Sequence, residues 1–171
     1  MEPSFFEHLS HIRLIALDVD GVLTDNTLLC TEDGHLLRAM NTRDGYAMAT
    51  AHKAGIRLVI ITGGSSTGVL SRLNKLGIAD VFSGIQDKRP VLEQYCREKG
   101  FAPEETLYMG DDIPDYEVMQ WCGTCACPND AVPEIKSIAR YICNHKGGHG
   151  CVREILELVL KQQDKWFNPQ I

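Results

Sequence analysis

The chain has 171 residues, 44% of them hydrophobic and 23% charged, the balance of a water-soluble protein of one-domain size. Its net charge of −6, with no basic run to follow a phosphodiester backbone, argues against nucleic acid as a partner. No stretch is long and apolar enough to span a bilayer, and Glu2 and Glu7 sit where a secretory signal would need an apolar core, so a cytoplasmic protein without a membrane partner is expected. Seven cysteines are an odd number for a disulfide framework. Cys122, Cys125 and Cys127 look like half of a metal site, but no second Cys/His cluster follows at ligand spacing, and reduced thiols are the better reading.

Short apolar runs alternate with helical patterns, the signature of an α/β protein with a parallel sheet. Ile12–Leu17 reads as a buried strand ending at Asp18. Asn26–Cys30 and His35–Asn41 then flank Thr31-Glu32-Asp33-Gly34, and Asp-Gly between extended runs predicts a hairpin over about 26–41. A hairpin is marginal in isolation, and this one carries Leu28, Leu36, Leu37 and Met40, so it is expected to pair with the same hairpin of another subunit. A helix over Asp44–Lys53 stops before Gly55. The second strand, Arg57–Ile61, ends in Thr62-Gly63-Gly64, and a helix over Ser66–Leu76 leads to a short third strand, Asp80–Phe82. Lys88–Lys99 is helical, with Pro90 in its first turn and Gly100 beyond its end. Thr106–Met109 is the fourth strand, ending in Gly110-Asp111-Asp112, and Thr124–Cys127 and Arg140–Cys143 follow as a fifth and a sixth. Val152–Leu160 is an amphipathic helix, and Gln162–Ile171, with little periodicity, reads as a mobile tail.

Polar residues stand just beyond successive strands, where an open parallel sheet opens its ligand crevice. Asp18-Val19-Asp20-Gly21, Thr62, Lys88 and Asp111-Asp112-Ile113-Pro114-Asp115 would converge there. Singly, each could be a turn, a cap or a surface lysine. In this order they resemble the four motifs of the haloacid dehalogenase superfamily of phosphotransferases, and the resemblance covers nearly the whole chain. It implies one phosphatase domain over residues 1–171 with a three-layer, Rossmann-like sheet. The segments between Asp18, Thr62 and Lys88 are filled by the hairpin and single helices and strands, so no cap domain fits.

The resemblance also implies roles. Asp18 is the nucleophile, and Asp20 protonates the leaving oxygen and then deprotonates water. Mg2+ would be held by Asp18, Asp111 and the backbone carbonyl of Asp20, with Asp112 behind them. Thr62 and Lys88 would hold the phosphoryl oxygens, and Asp115 has an N-cap or orienting role. Asp18–Asp25, the hairpin, Asn41-Thr42-Arg43-Asp44-Gly45-Tyr46 and Lys146–Glu154 narrow the likeness to the phosphatases of 3-deoxy-D-manno-octulosonate 8-phosphate, which supply the free sugar acid of bacterial lipopolysaccharide. That branch implies a homotetramer built through its hairpins. It also implies substrate contacts from Asp20, Asn41, Thr42, Arg43, Asp44, Gly45, Gly63, Gly64, Arg72 and Lys88. Lys146–Gly150 reads either as a segment near an active site, its own or the next subunit's, or as a flexible loop. Two positions depart from the pattern: Gly64 stands where a cation is common, and Ala49 where some members place arginine. They leave room for a nine-carbon sugar-acid 9-phosphate as substrate. A phosphoryl-receiver module would place its acidic pair before the phosphorylated Asp, the reverse of the order here, and a non-catalytic scaffold has no use for Asp20.

Overall fold

The computed structural model describes residues 5–167. Six parallel strands form one sheet: β1 (Leu14–Leu17), β4 (Arg57–Ile61), β5 (Val81–Phe82), β6 (Thr106–Met109), β7 (Thr124–Cys127) and β8 (Tyr141–Ile142). Two more, β2 (Leu29–Cys30) and β3 (Leu36–Leu37), make the antiparallel hairpin. The large sheet runs β5-β4-β1-β6-β7-β8. β1 is central, pairing Leu14–Leu17 with Arg57–Ile60 on one side and Thr106–Met109 on the other. All four of its residues are buried, as expected of a strand covered on both faces.

The period-2 alternation of the strands sorts their side chains into two cores. Ile15, Leu17, Leu58, Ile60, Leu107 and Met109 face a core built with α2 (Thr42–Lys53), α3 (Thr67–Lys75) and α7 (Cys151–Gln162). Leu14, Ala16, Val59, Ile61 and Tyr108 face the other, with α4 (Lys88–Lys99), α5 (Tyr116–Trp121) and α6 (Pro133–Ile138). The result is a three-layer sandwich. From β1 the chain first builds outward to β4 and β5, then crosses back to β6 on the opposite side. Beyond β1 and β6 it therefore opens the crevice typical of a topological switch point.

Asp44 ties two helices of the first layer together. Asn41 caps α2, accepting hydrogen bonds from the Arg43 and Asp44 N–H groups, and Asp44 lies 1% exposed. Its Oδ1 accepts from the Arg153 N–H at 2.7 Å, in the first turn of α7, while its buried Oδ2 has no partner. Burial pushes its carboxyl up, against the hydrogen bonds of the Arg153 and Gly150 N–H groups. Asp44→Ala is expected to cost about 1–2 kcal/mol in urea unfolding, the worth of a lost cap, with little change in KM.

The structure departs from the sequence reading in four places. A short helix, α1 (Phe5–Leu9), and α6 carry no strong periodicity in the sequence. The hairpin ladder holds only two residue pairs, because Asn26 turns through a φ of 68° and Arg38 folds back from β3 toward the sheet. The expected mobile tail begins instead as a docked segment. Gln163 Nε2 donates to the Leu9 and Ile12 carbonyls at 2.9 and 2.8 Å, and Trp166 packs on the core beneath the Arg153 guanidinium. The rest of that tail, 168–171, lies outside the described residues.

Candidate active site

Asp18 extends β1 into the crevice, its N–H donating to the Met109 carbonyl at 3.1 Å. The chain then makes a wide turn closed by the Thr24 N–H on the Val19 carbonyl (3.0 Å). Gly21 carries the turn at φ +88°, and a Cβ there would fall 2.0 Å from Asp111 Oδ2, so no side chain fits. Asp18 Oδ1 accepts from the Val19 N–H at 2.7 Å and from Lys88 Nζ at 3.0 Å. Both contacts fall on one oxygen, leaving Oδ2 for a ligand.

Asp115 organises the loop after β6. Its Oδ1 accepts from Lys88 Nζ and from the Tyr108 hydroxyl, both at 2.7 Å, and its Oδ2 from the Asp111 N–H at 3.1 Å. Tyr108, fully buried on β6, is a supporting residue that its place in an apolar strand concealed. Asp112 is exposed and spends Oδ1 on the Ile113 N–H (2.7 Å) as a local cap. It lines the same cavity as Asp18 and Asp111, beside the carboxylates that face one another there.

Three buried carboxylates meet one buried amine here. Oxygens of Asp18, Asp111 and Asp115 lie within 4.8 Å of one another. Burial, then the Asp115 charge, pushes the Asp18 carboxyl up to about 7. Burial, followed by the charges of Asp115, Asp18 and Asp112, takes Asp111 to about 8. Burial opposes the charge on Lys88, but Asp115 and Asp18 outweigh it and hold the amine above its ordinary value. Asp111 Oδ1 is buried without a hydrogen bond. An acidic excess, an orphaned oxygen and an all-oxygen donor set fit a small, hard divalent cation held by Asp18 and Asp111. Asp115, with both oxygens engaged, holds the frame.

Thr62, Gly63, Gly64 and Lys88 line the same cavity of about 340 Å³ as Asp18, Asp20, Asp111 and Asp115. The hydroxyl of Thr62 accepts from the Gly64 N–H at 3.2 Å, bending the loop after β4 around the mouth. Two contacts to the carboxylates of this cavity escaped the sequence reading. Asn26 Nδ2 donates to Asp111 Oδ2 at 3.1 Å, and Arg38 forks Asp20, with Nε 2.6 Å from Oδ1 and Nη2 3.1 Å from Oδ2. Both belong to the hairpin region, where only the turn signal was legible.

The remaining candidates lie outside this cavity. Asn41 and Asp44 are capping residues, as described above. Thr42 is exposed, and Arg43 lines a separate depression with His149 and Arg153. Gly45 is buried against Arg72, whose Nη2 would sit 2.6 Å from an added Cβ, and Arg72 itself borders an outer groove shared with Arg38. Within one chain the structure therefore does not bring Asn41–Gly45 and Arg72 to the catalytic cavity. Asn41–Gly45 sit at the start of α2, which packs on α7, and Arg72 belongs to α3.

The Lys146–Gly150 segment braces the nucleophile loop. Gly148 N–H donates to the Val22 carbonyl at 3.0 Å, and Asn41 Nδ2 donates to the Gly148 carbonyl at 3.3 Å. A Cβ on Gly147 would come within 1.9 Å of the Gly21 carbonyl oxygen. Gly147→Ala is expected to cost about 1–3 kcal/mol of stability and to lower kcat by displacing Asp18, measured by urea unfolding and phosphate release.

Residues 77–155 match the haloacid dehalogenase-like hydrolase family. The 3-deoxy-D-manno-octulosonate 8-phosphate phosphatase of Salmonella typhimurium is 36% identical over 165 residues, covering 96% of this chain and 88% of that one. The chain belongs to the 3-deoxy-D-manno-octulosonate 8-phosphate phosphatase family. Two solved members of the family share the fold. The Yersinia pestis enzyme superposes with a TM-score of 0.91 at 36% identity, over 94% of this chain and 86% of that one. The Moraxella catarrhalis enzyme, solved in complex with a magnesium ion, a phosphate ion and a KDO molecule, gives 0.91 at 33% identity, over 93% and 91%. The chain shares the family's six-stranded α/β architecture.

Proposed function

We propose that the protein hydrolyses 3-deoxy-D-manno-octulosonate 8-phosphate to the free sugar acid and inorganic phosphate, through an aspartyl-phosphate on Asp18 and with Mg2+ as cofactor. The observation that carries this reading is Asp18 facing Asp111 and Lys88 in one cavity at the switch point. Asp18 Oδ2 attacks phosphorus as the bond to the sugar oxygen breaks, and Asp20 gives its proton to that oxygen. Asp20 then takes a proton from water as the water oxygen bonds to phosphorus and the acyl-phosphate bond breaks. Lys88 and the backbone around Thr62 offset charge on the phosphoryl oxygens. Mg2+, held by Asp18 and Asp111, supplies Lewis-acid neutralisation between a carboxylate and a dianion that would otherwise repel.

The relatives' substrate and the magnesium, phosphate and KDO of the Moraxella complex support the eight-carbon ester. The test is phosphate release with Mg2+ from that ester and from nine-carbon sugar-acid 9-phosphates. A tenfold preference in kcat/KM for the eight-carbon ester, about 1.4 kcal/mol in transition-state binding, is expected. The reverse preference would move the pathway and keep the chemistry, and turnover of neither would overturn the assignment.

The protein is read as a homotetramer joined through its hairpins. Leu29, Leu36 and Leu37 are at least half or nearly half exposed, an apolar strip that two short strands cannot bury alone. Leu29→Glu with Leu37→Glu is expected to yield a monomer by light scattering, and an unchanged mass would remove the hairpin from the interface. A cytoplasmic location is consistent with seven cysteines that all remain free thiols. Among the described residues no helix is long and apolar enough to cross a membrane.

A further inference from the structure

The Asp20 carboxylate is held by a side chain that reaches in from the hairpin. Arg38 follows β3, and its guanidinium is nearly buried, with 5% of the side chain exposed against 30% for Asp20. Its Nε and Nη2 meet the two carboxylate oxygens of Asp20 as parallel donors, the fork-to-fork geometry that fixes orientation as well as charge. The third nitrogen, Nη1, donates to the carbonyl of Leu36 at 3.3 Å, so the guanidinium is anchored to the backbone of its own strand. On the far side, a Cβ on Gly64 would lie 2.9 Å from Arg38 Nη2 and 3.0 Å from Asp20 Oδ2. Position 64 carries no side chain, and the pair closes against it. Three separate segments, the turn after Asp18, the hairpin and the loop after β4, thus agree on one placement for the Asp20 carboxyl.

We infer that Arg38 is the positioning residue of Asp20, and that Gly64 is the space this pairing requires. The inference rests on Asp20 being the acid/base residue of the proposed reaction. A carboxyl on a short, partly exposed side chain has several rotamers, and a proton relay works only in the one that meets the leaving oxygen. The fork supplies that restraint, and it makes the hairpin part of the site within each chain. The cation expected on the loop after β4 is absent, and the nearest guanidinium comes from the hairpin and serves the carboxyl.

The experiment is a double-mutant cycle on the full chain with Mg2+ and the eight-carbon ester. Arg38→Met is expected to lower kcat by about 10- to 100-fold with KM within about twofold. Arg38→Lys, which keeps the charge and loses the fork, is expected to recover part of that loss. In an Asp20→Asn background Arg38→Met is expected to change kcat by less than about twofold, because its effect runs through Asp20. Equal losses in both backgrounds, or a rise in KM at constant kcat, would overturn the inference, the latter by making Arg38 a substrate contact. Should Arg38→Met fail to fold by thermal unfolding, Gly64→Ala strikes the same pair from the other side and is expected to show the same dependence on Asp20. Turnover by the parent with none of these losses sinks the inference alone. No release by the parent sinks the assigned reaction as well.

Discussion

Asp18→Asn is expected to lower kcat by at least about 10⁴-fold and, in the absence of Mg2+ at pH 8, to raise the unfolding midpoint. The two effects share one cause. Burial and the neighbouring Asp115 carboxylate hold the Asp18 proton up to about 7, against an ordinary value of 3.8. The folded protein therefore binds that proton more tightly than the unfolded chain. The stability this confers is complete below the unfolded value and is lost as pH rises through about 7. Asparagine carries no such charge, and its Oδ1 can still accept from the Val19 N–H. Its advantage over the parent should grow between pH 4 and 7 and then level off. Asp111, held to about 8, extends the parent's decline by a further unit. Mg2+ should reverse most of that decline in the parent and little of it in Asp18→Asn, because the substitution removes a ligand. Thermal unfolding across pH, with and without Mg2+, reads all of this, and steady phosphate release by Asp18→Asn would remove Asp18 as the nucleophile.

Lys88→Met is expected to be the most damaging single substitution to the fold. Lys88 is 3% exposed and lies 2.7 Å from Asp115 and 3.0 Å from Asp18. Removing it leaves two buried carboxylates without their cation, a loss of about 3–5 kcal/mol. Activity should fall about 10²- to 10³-fold as well, since a donor to the developing charge is gone. The double variant Lys88→Met/Asp115→Asn separates the two roles. Neutralising Asp115 should recover part of the stability in urea unfolding, while phosphate release should stay low. Recovery of both would make Lys88 a structural counter-charge and nothing more.

Much of this site was legible because its chemistry stands at the ends of strong elements. β4, β6, β7 and α4 have the boundaries that their apolar runs, Pro90 and Gly100 predict, and Asp18, Thr62, Lys88 and Asp111 follow from them. Asp44 was legible only as part of a local string. Its burial depends on Arg153, more than a hundred positions away, and no local pattern announces that pairing. The hairpin misled in a similar way: its turn was plain, but the ladder is cut short because Asn26 and Arg38 leave it to hold Asp111 and Asp20. An arginine beyond a strand looks like a solvated charge until the fold supplies its carboxylate. Gln163 and Trp166 likewise carry no periodic signal, and only the Leu9–Ile12 backbone and the core beneath explain their order.

The clamp of Gly147 and Gly148 on the Gly21–Thr24 turn has a consequence for synthesis. The nucleophile leaves the ribosome well before the backbone that immobilises its loop, which emerges together with Cys151, whose thiol donates to the Val22 carbonyl at 3.3 Å. A growing chain can assemble β1, β4 and β6 around Asp18 well before that loop has anything to lean on. Catalytic competence should therefore wait for α7 and arrive abruptly with it, and until then a nascent chain would hold its reactive carboxylate idle.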